Sequence, residues 1–375
     1  MKIEIFSPTI RRKEMDAVLT AMVEDKIGPG ERNRLLIQTA KEQINFDYAL
    51  ALRSPAVALF LALKALKPQS ADDSGEKNLR KQGVIVSALS PRYYLQVLQD
   101  LQLTPVFCDV SYDLPVMSRE LIETATAAKP SDVDVCAIVI HHTLGFVPDT
   151  AAISELGIPV IEDISQSYGS WLSLGSKKDK EENGKNDNEE QQAGMQIAAR
   201  IDGVFCILGL EERDMLTSGG GALLFAMNRK DGNALRSFSG IPGEYCLPDI
   251  NAALAVVQFK EIMRNIERRR DIAEVFIQAG LRTRHKRFIP ISQMEYCNYS
   301  FSLILEAGLK DVIAYAKKKE IEIENAFENT IAGMGEASNC PVSSSLCLRT
   351  VLFPIYPMLR SQEVERISRL IMTLP

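Results

Sequence analysis

Histidine and tryptophan are scarce in this chain, and its cysteines are dispersed. The 375 residues contain three histidines and one tryptophan, and no two of the seven cysteines form a Cys-x-x-Cys pair. A structural zinc site draws about four ligands from closely spaced histidines and cysteines. The sequence therefore predicts no metal site, and unpaired, scattered thiols are typical of a reducing cytoplasm.

A long apolar run and an excess of basic charge are also missing. No apolar stretch approaches the roughly 20 residues that span a bilayer, and the opening MKIEIFSP lacks the apolar core of a secretory signal. Lysine and arginine number 43 against 49 acidic residues, a net charge of -6. Nucleic-acid binders usually present a basic face. The sequence predicts a cytoplasmic protein that binds neither membrane nor nucleic acid.

The chain does contain a repeated alternation of short Val- and Ile-rich runs with helical segments. The clearest strands are predicted at Gly83–Ala88, Pro105–Asp109, Val135–Ile140 and Pro159–Glu162. Strands separated by helices indicate an α/β protein with a mainly parallel sheet covered on both faces. In such sheets ligands lie beyond the carboxyl ends of the strands.

The length predicts two domains, because 375 residues exceed what one core usually contains. We place a large domain at residues 1–240 and a small C-terminal α+β domain at 241–375, with a long amphipathic helix near Asp249–Phe276 leading into the second. Residues 175–193 (GSKKDKEENGKNDNEEQQA) have almost no apolar side chains. They are predicted to form a flexible, charged surface insertion.

The segment 158–169 carries the most specific chemistry. Its apolar strand ends in Glu162 and Asp163, and Gln166 follows three residues later. A carboxylate at a strand end can keep the pyridinium nitrogen of pyridoxal phosphate (PLP) protonated. It can equally be the residue that caps the next helix, a common use of aspartate after a strand. On this segment alone both interpretations remain open.

Further segments occur in the order found in one enzyme family. They are Gly28–Gly30, Tyr48–Leu63, Val84–Asp109, Ile140–Asp149, Leu216–Leu224, Asp249–Arg269 and Phe353–Pro357. Together they resemble the DegT/DnrJ/StrS sugar-nucleotide aminotransferases. The resemblance implies the fold of the fold type I, aspartate aminotransferase-like PLP transferases, with PLP or its amine form PMP as cofactor. It also implies a homodimer and a nucleotide-sugar ligand, with Asp163 and Gln166 at the cofactor and His142 as a possible acid or base.

The sequence departs from this family where the Schiff-base lysine belongs. That lysine lies just before the family's Thr-Thr-Gly-Glu-Gly-Gly segment, but residues 204–218 contain no lysine. Counting back from the glycines places Arg213 there, and other gap placements give Glu212 or Glu211. Arginine stays protonated and a carboxylate forms no imine. Some dehydratases of the family use a histidine with PMP instead, but no histidine lies nearby.

Other cofactor positions implied by the resemblance are also substituted. Ser54 and Ala56 flank a proline where the family has Ser-Gly-Thr, Cys206 replaces a phosphate-binding serine, and Glu244 lies in the stretch that reaches the partner subunit. A proline removes an N–H donor and a carboxylate repels phosphate. The aromatic that stacks on the cofactor in the family falls on Pro91 here, and Tyr93 or Tyr94 could compensate for it.

Three functions remain open. The leading hypothesis is a homologue with a degenerate cofactor site that forms no internal aldimine and serves as a non-catalytic binding or regulatory partner in sugar or polysaccharide biosynthesis. The second is an active aminotransferase or PMP-dependent dehydratase for a nucleotide-linked keto sugar. The third is a sugar-nucleotide-binding protein without cofactor.

Overall fold

The computed structural model describes residues 2–66, 80–172, 202–292, 294–306 and 308–375, so the predicted insertion at 175–193 lies outside the described residues. Helices are α1 (Arg12–Val23), α2 (Glu31–Lys41), α3 (Pro55–Leu66), α4 (Tyr93–Asp100), α5 (Arg119–Ala128), α6 (Thr150–Ser154), α7 (Arg229–Arg236), α8 (Asp249–Gly280), α9 (Leu309–Lys318), α10 (Pro341–Arg349) and α11 (Ser361–Met372). Strands are β1 (Tyr48–Leu52), β2 (Lys81–Ser87), β3 (Thr104–Cys108), β4 (Val133–His141), β5 (Val160–Asp163), β6 (Trp171–Leu172), β7 (Phe205–Gly209), β8 (Ala222–Ala226), β9 (Met294–Glu295), β10 (Phe301–Ile304), β11 (Glu324–Asn325) and β12 (Thr350–Phe353).

Seven strands form the central sheet in the order β1-β8-β7-β5-β4-β2-β3. Strand β8 runs antiparallel to β1 and β7, and the other neighbours pair in parallel. Successive residues of a strand face opposite sides, so Val84 and Val86 pack toward α3 and α4 while Ile85 packs toward α5. The prediction of an α/β fold with a mainly parallel sheet covered on both faces is confirmed.

The C-terminal part contains the antiparallel sheet β10-β12-β11, packed against α9 and α11. The long helix α8 belongs to two apolar clusters, since Phe259 packs beneath the large sheet and Phe276 packs in the C-terminal cluster. Ile3 from the start of the chain packs in that second cluster as well. A small α+β unit is therefore present, and the division at residues 240 and 241 stays a prediction.

No helix within the described ranges is long and apolar enough to cross a membrane.

Candidate functional site

The carboxyl ends of three neighbouring strands meet at one edge of the central sheet. Strand β4 ends at His141, β5 at Asp163 and β7 at Gly209, and His141 is paired in register with Asp163. Both side chains are almost completely buried. Because ligand sites of parallel α/β sheets lie at this edge, Asp163 and the groups around it form the candidate site.

The Asp163 carboxylate accepts hydrogen bonds from four donors of its own chain. Its Oδ2 accepts from the hydroxyls of Tyr94 (2.7 Å) and Tyr93 (3.3 Å). Its Oδ1 accepts from the backbone N–H (3.1 Å) and the hydroxyl (2.5 Å) of Ser165. A carboxylate offers about four acceptor positions, so these donors saturate it. The Ser165 contacts form a local turn, whereas the simpler interpretation of the motif predicted a capped helix at this point.

The neighbours of Asp163 are held in neutral forms. Burial raises the pKa of Tyr93 and of Tyr94 well above the ordinary value, and the charge of Asp163 adds to this, so both hydroxyls remain donors. Burial lowers the pKa of His141 to about 4, although Asp163 pulls it upward. The imidazole of His141 lies edge-on to the Tyr94 ring at 6.4 Å and is neutral at physiological pH.

His142, the predicted acid or base, lies on the other side of the strand end. Its Nδ1 is 2.7 Å from the Ser167 hydroxyl, and its Nε2 is 3.5 Å from Oε2 of Glu162. Both His142 and Glu162 are fully buried. Since adjacent residues of a strand point to opposite faces, His141 faces Asp163 and His142 does not. The acid or base role of His142 stays a prediction, and His141 is the imidazole that faces Asp163.

Arg213, placed by sequence at the lysine position, points outward. Its side chain is half exposed, and Nη1 donates to Oε1 of Glu324 at 2.6 Å. The residue of this loop that turns inward is Asp214, whose Oδ2 accepts from the Glu211 N–H at 2.9 Å. A Cβ at Gly209 would collide with that same Oδ2. The position facing the site is thus Asp214, one residue beyond the predicted one.

Asp214 brings a second carboxyl group to the neighbourhood of Asp163. Burial raises the pKa of Asp214 well above its ordinary value, and the negative charges of Asp163 and Glu211 act in the same direction. Two nearby carboxylates cannot both ionise without cost. Burial and these neighbouring charges therefore favour the protonated form of Asp214.

We predict that Asp214→Asn makes the protein more stable than the parent chain, increasingly so as pH rises. As pH rises, an aspartate in the unfolded chain loses its proton near its pKa of about 3.9. Asp214 in the folded state keeps its proton to a higher pH. Parent stability consequently falls as pH rises from that value toward the raised folded pKa, by about 1.4 kcal/mol per unit of pKa difference. Asparagine does not titrate and keeps an oxygen for the Glu211 N–H.

Urea denaturation of the two proteins across acidic and neutral pH measures this difference. The matched control is Glu212→Gln in the same loop, because Glu212 is exposed. Parallel stability curves for Asp214→Asn and the parent would show that Asp214 titrates normally.

The remaining predicted positions lie apart from this cluster or have partners of their own. Ser54 accepts the N–H of Val57 at 3.3 Å and Ala56 lies in the first turn of α3. Gln166 Oε1 accepts the Leu144 N–H at 2.7 Å, and Glu244 is exposed in a short 3-10 turn.

Cys206 does not reach the carboxyl edge. It is fully buried within β7, pairs in register with Glu162, and has a pKa raised by burial. The β7 residue next to the Ser165 hydroxyl is Gly209, whose N–H donates to it at 2.7 Å. The role of Cys206 as a cofactor contact stays a prediction.

These contacts do not suit a pyridoxal group held as the resemblance implies. The carboxylate that would bind the ring nitrogen is saturated, and the loop presents a carboxyl where an amine is required. Among the residues that the structure describes, no lysine belongs to the buried polar side chains. Sequence reasoning missed Asp214 and the hydroxyl contacts of Tyr93 and Tyr94.

The fold, together with the aspartate at the end of β5, is that of the fold type I transferases. The model of the DegT/DnrJ/EryC1/StrS aminotransferase family matches residues 8–178 and 224–372, and the chain belongs to this family. The two matched segments lie on either side of residues 179–223, which include Arg213 and Asp214.

Solved structures share this fold over nearly the whole chain. A Streptococcus pneumoniae protein described as a sugar aminotransferase, in its PMP form, is 17% identical with a TM-score of 0.79, covering 100% of this chain and 97% of that one. The aminotransferase TlmJ from Streptoalloteichus hindustanus is 18% identical with a TM-score of 0.76, covering 99% and 98%. A histidine-to-asparagine mutant of GDP-4-keto-6-deoxymannose-3-dehydratase with bound GDP-perosamine is 16% identical with a TM-score of 0.78, covering 98% and 100%.

Proposed function

We propose that this chain is a non-catalytic member of its family, whose own side chains fill the place of the cofactor. It acts as a binding or regulatory partner in sugar or polysaccharide biosynthesis. The observation that carries the proposal is the Tyr94 hydroxyl on Oδ2 of Asp163 at 2.7 Å. A pyridinium N–H requires that same kind of acceptor, so a bound cofactor would first have to displace Tyr94.

The loop after β7 supports the same proposal. Imine formation needs an amine that can lose its proton, and Asp214 supplies a carboxyl group instead. Arg213 cannot substitute, because guanidinium groups stay protonated and this one is paired with Glu324.

A second candidate is a PMP-dependent dehydratase, favoured by one observation. Burial lowers the pKa of His141, which keeps its imidazole in the neutral form that a general base needs, and the residue pairs in register with Asp163 at the strand end. It ranks second because Tyr93 and Tyr94 hold the Asp163 oxygen that the cofactor ring would need.

We expect purified protein mixed with PLP to show no yellow, borohydride-reducible adduct in the folded core. Absorbance spectra before and after reduction, followed by peptide mapping, separate a core adduct from reaction at exposed lysines. A lysine-bearing member of the family serves as the positive control. An adduct on a lysine of the folded core would contradict the proposal of a non-catalytic protein. Micromolar binding of PMP in calorimetry would favour the PMP-dependent dehydratase instead.

The oligomeric state, the cellular location and the ligand are also proposals. We propose a homodimer, to which α1 contributes the exposed apolar side chains Met15, Leu19 and Val23. We also propose a cytoplasmic location, consistent with the scattered cysteines of the sequence, and a nucleotide-linked sugar as a ligand of the family cleft.

A further inference from the structure

Residues 324–332 of the C-terminal part, here called the bridging segment, reach the loops on both sides of the Asp163 cluster. The segment begins with β11, which pairs with β12 in the C-terminal sheet. Directly after β11, the Ala326 N–H donates to the carbonyl oxygen of Thr350 in β12 at 3.0 Å. The start of the bridging segment is therefore fixed to the C-terminal sheet.

The end of the bridging segment lies on the loop between β2 and α4. Three backbone hydrogen bonds join residues 329–332 to residues 88–92: Ile331 N–H to the Ser90 carbonyl (3.1 Å), Ala332 N–H to the Ala88 carbonyl (2.8 Å) and Arg92 N–H to the Asn329 carbonyl (3.3 Å). Helix α4 begins at Tyr93, directly after this loop. The three bonds thus hold the end of α4 that carries Tyr93 and Tyr94.

The side chain of Ile331 adds apolar packing to these bonds. It is fully buried and belongs to the same apolar cluster as Ala88 and Tyr94. Burial of an aliphatic side chain is a large favourable contribution to such a contact. The Tyr94 hydroxyl is in turn 2.7 Å from Oδ2 of Asp163. The bridging segment therefore supports the phenol that bonds to Asp163.

The start of the bridging segment contacts the loop that carries Asp214. Oε1 of Glu324 accepts from Nη1 of Arg213 at 2.6 Å, and the Arg213 guanidinium lies 5.9 Å from the centroid of the Phe6 ring. Asp214 is the next residue, and its Oδ2 accepts from the Glu211 N–H at 2.9 Å. Because neighbouring residues share one backbone, an Arg213 side chain held outward favours an Asp214 side chain turned inward.

We propose that the bridging segment is an autoinhibitory contact that keeps the Asp163 cluster closed. Its end holds Tyr93 and Tyr94 on Asp163, and its start holds Asp214 in the inward position. Release of residues 329–332 from the loop before α4 would free the Asp163 oxygen that Tyr94 now contacts. The inference rests on the proposed function, in which side chains of the protein fill the place of the cofactor, and it identifies the contact that regulates that arrangement.

Hydrogen exchange of the full chain, followed by mass spectrometry, tests the end of the segment. We expect Ile331→Ala to raise exchange in residues 88–100 at least about tenfold over the parent, because truncating a fully buried isoleucine weakens the closed state by at least that factor. The matched control is Ile367→Ala, an equally buried isoleucine of α11 in the C-terminal cluster. The control should leave exchange in residues 88–100 within about twofold of the parent.

A milder substitution covers the case in which Ile331→Ala does not fold. Ile331→Val removes one methylene group and should raise the same exchange about threefold. Unchanged exchange in residues 88–100 of the folded variant, or an equal rise in Ile367→Ala, would overturn the proposal.

Glu324→Ala tests the start of the segment. We expect exchange in residues 211–217 to rise about threefold, since a partly exposed ion pair contributes only modestly to stability. The matched control is Glu328→Ala, an exposed glutamate of the same segment, which should leave this exchange unchanged. Unchanged exchange in Glu324→Ala would also overturn the proposal. A PLP adduct in the core of the parent would contradict the proposed function instead, because the exchange measurements contain no ligand.

Discussion

Replacing Arg269 by methionine is expected to lower the free energy of unfolding by about 4 kcal/mol, since each buried acceptor left unpaired costs about 1–3 kcal/mol. Arg269 lies on α8 and is almost completely buried. Its Nη1 lies 2.6 Å from the carbonyl oxygen of Ile355 and 2.9 Å from that of Tyr299, and its Nε donates to Oδ1 of Asn265 at 2.9 Å. Methionine fills similar space but donates to none of them.

The position of Arg269 explains why the effect should be large. It lies on α8 between the half packed beneath the large sheet and the half packed in the C-terminal cluster. Burial lowers the pKa of Arg269, and its guanidinium donates to the backbone carbonyls of Tyr299 and Ile355. Losing it would release the chain at Tyr299 and at Ile355 from the same helix.

Urea denaturation at neutral pH measures the loss for Arg269→Met. Arg268→Met is the matched control on the next residue, because Arg268 is about one-third exposed and makes one hydrogen bond to the Leu359 carbonyl at 2.9 Å. The control should lose no more than about 1 kcal/mol. Equal losses for the two variants would contradict the role assigned to Arg269.

The central sheet was predictable because its signal is local. Strand Val160–Asp163 and helix Asp249–Gly280 follow the patterns seen in the sequence, and apolar periodicity is enough to place such elements. For the same reason Asp163 was found, since a polar residue directly after a buried strand marks the carboxyl edge.

The partners of Asp163 were not predictable because distant contacts position them. The loop before α4 is bonded to a C-terminal segment, with the Ile331 N–H donating to the Ser90 carbonyl and the Ala332 N–H donating to the Ala88 carbonyl. Those contacts, over 200 positions apart in the chain, help set where Tyr93 and Tyr94 lie. Sequence analysis named these two rings only as groups that could compensate for Pro91, whereas in the structure their hydroxyls donate to Asp163.

The assignments of Arg213 and Cys206 to family positions stay predictions, and they rest on a weaker signal in the sequence. A run of three glycines fixes the register of the preceding loop only to within a residue or so, and a one-residue shift exchanges an outward side chain for an inward one. Gly209, and not Cys206, reaches the strand end beside Ser165. Hydropathy does not indicate which of the two residues points inward, because Arg213 and Asp214 are both charged.

Asp214→Lys combined with Tyr94→Phe is expected to create a covalent PLP adduct that the parent chain lacks. Lysine at 214 would replace the inward carboxyl by an amine, and desolvation lowers the pKa of a buried lysine toward the free base. Phenylalanine at 94 removes the 2.7 Å donor from Oδ2 of Asp163, which then becomes an acceptor for the pyridinium nitrogen. The reducible yellow adduct should rise at least about tenfold over the parent, from background to a large fraction of the protein.

Peptide mapping after borohydride reduction should locate this adduct at position 214. The matched control is Arg213→Lys with Tyr94→Phe, which places the same amine one residue earlier, on the side chain that now points outward to Glu324. If only the Arg213→Lys variant reacted, the register deduced from the sequence would be right and the inward position of Asp214 wrong. If Asp214→Lys alone reacted as fully as the double variant, the Tyr94 hydroxyl would not be what keeps a pyridoxal ring from Asp163. If the adduct formed at position 214 in the double variant only, the carboxyl group of Asp214 and the hydroxyl of Tyr94 would be the two groups that prevent this chain from attaching the cofactor.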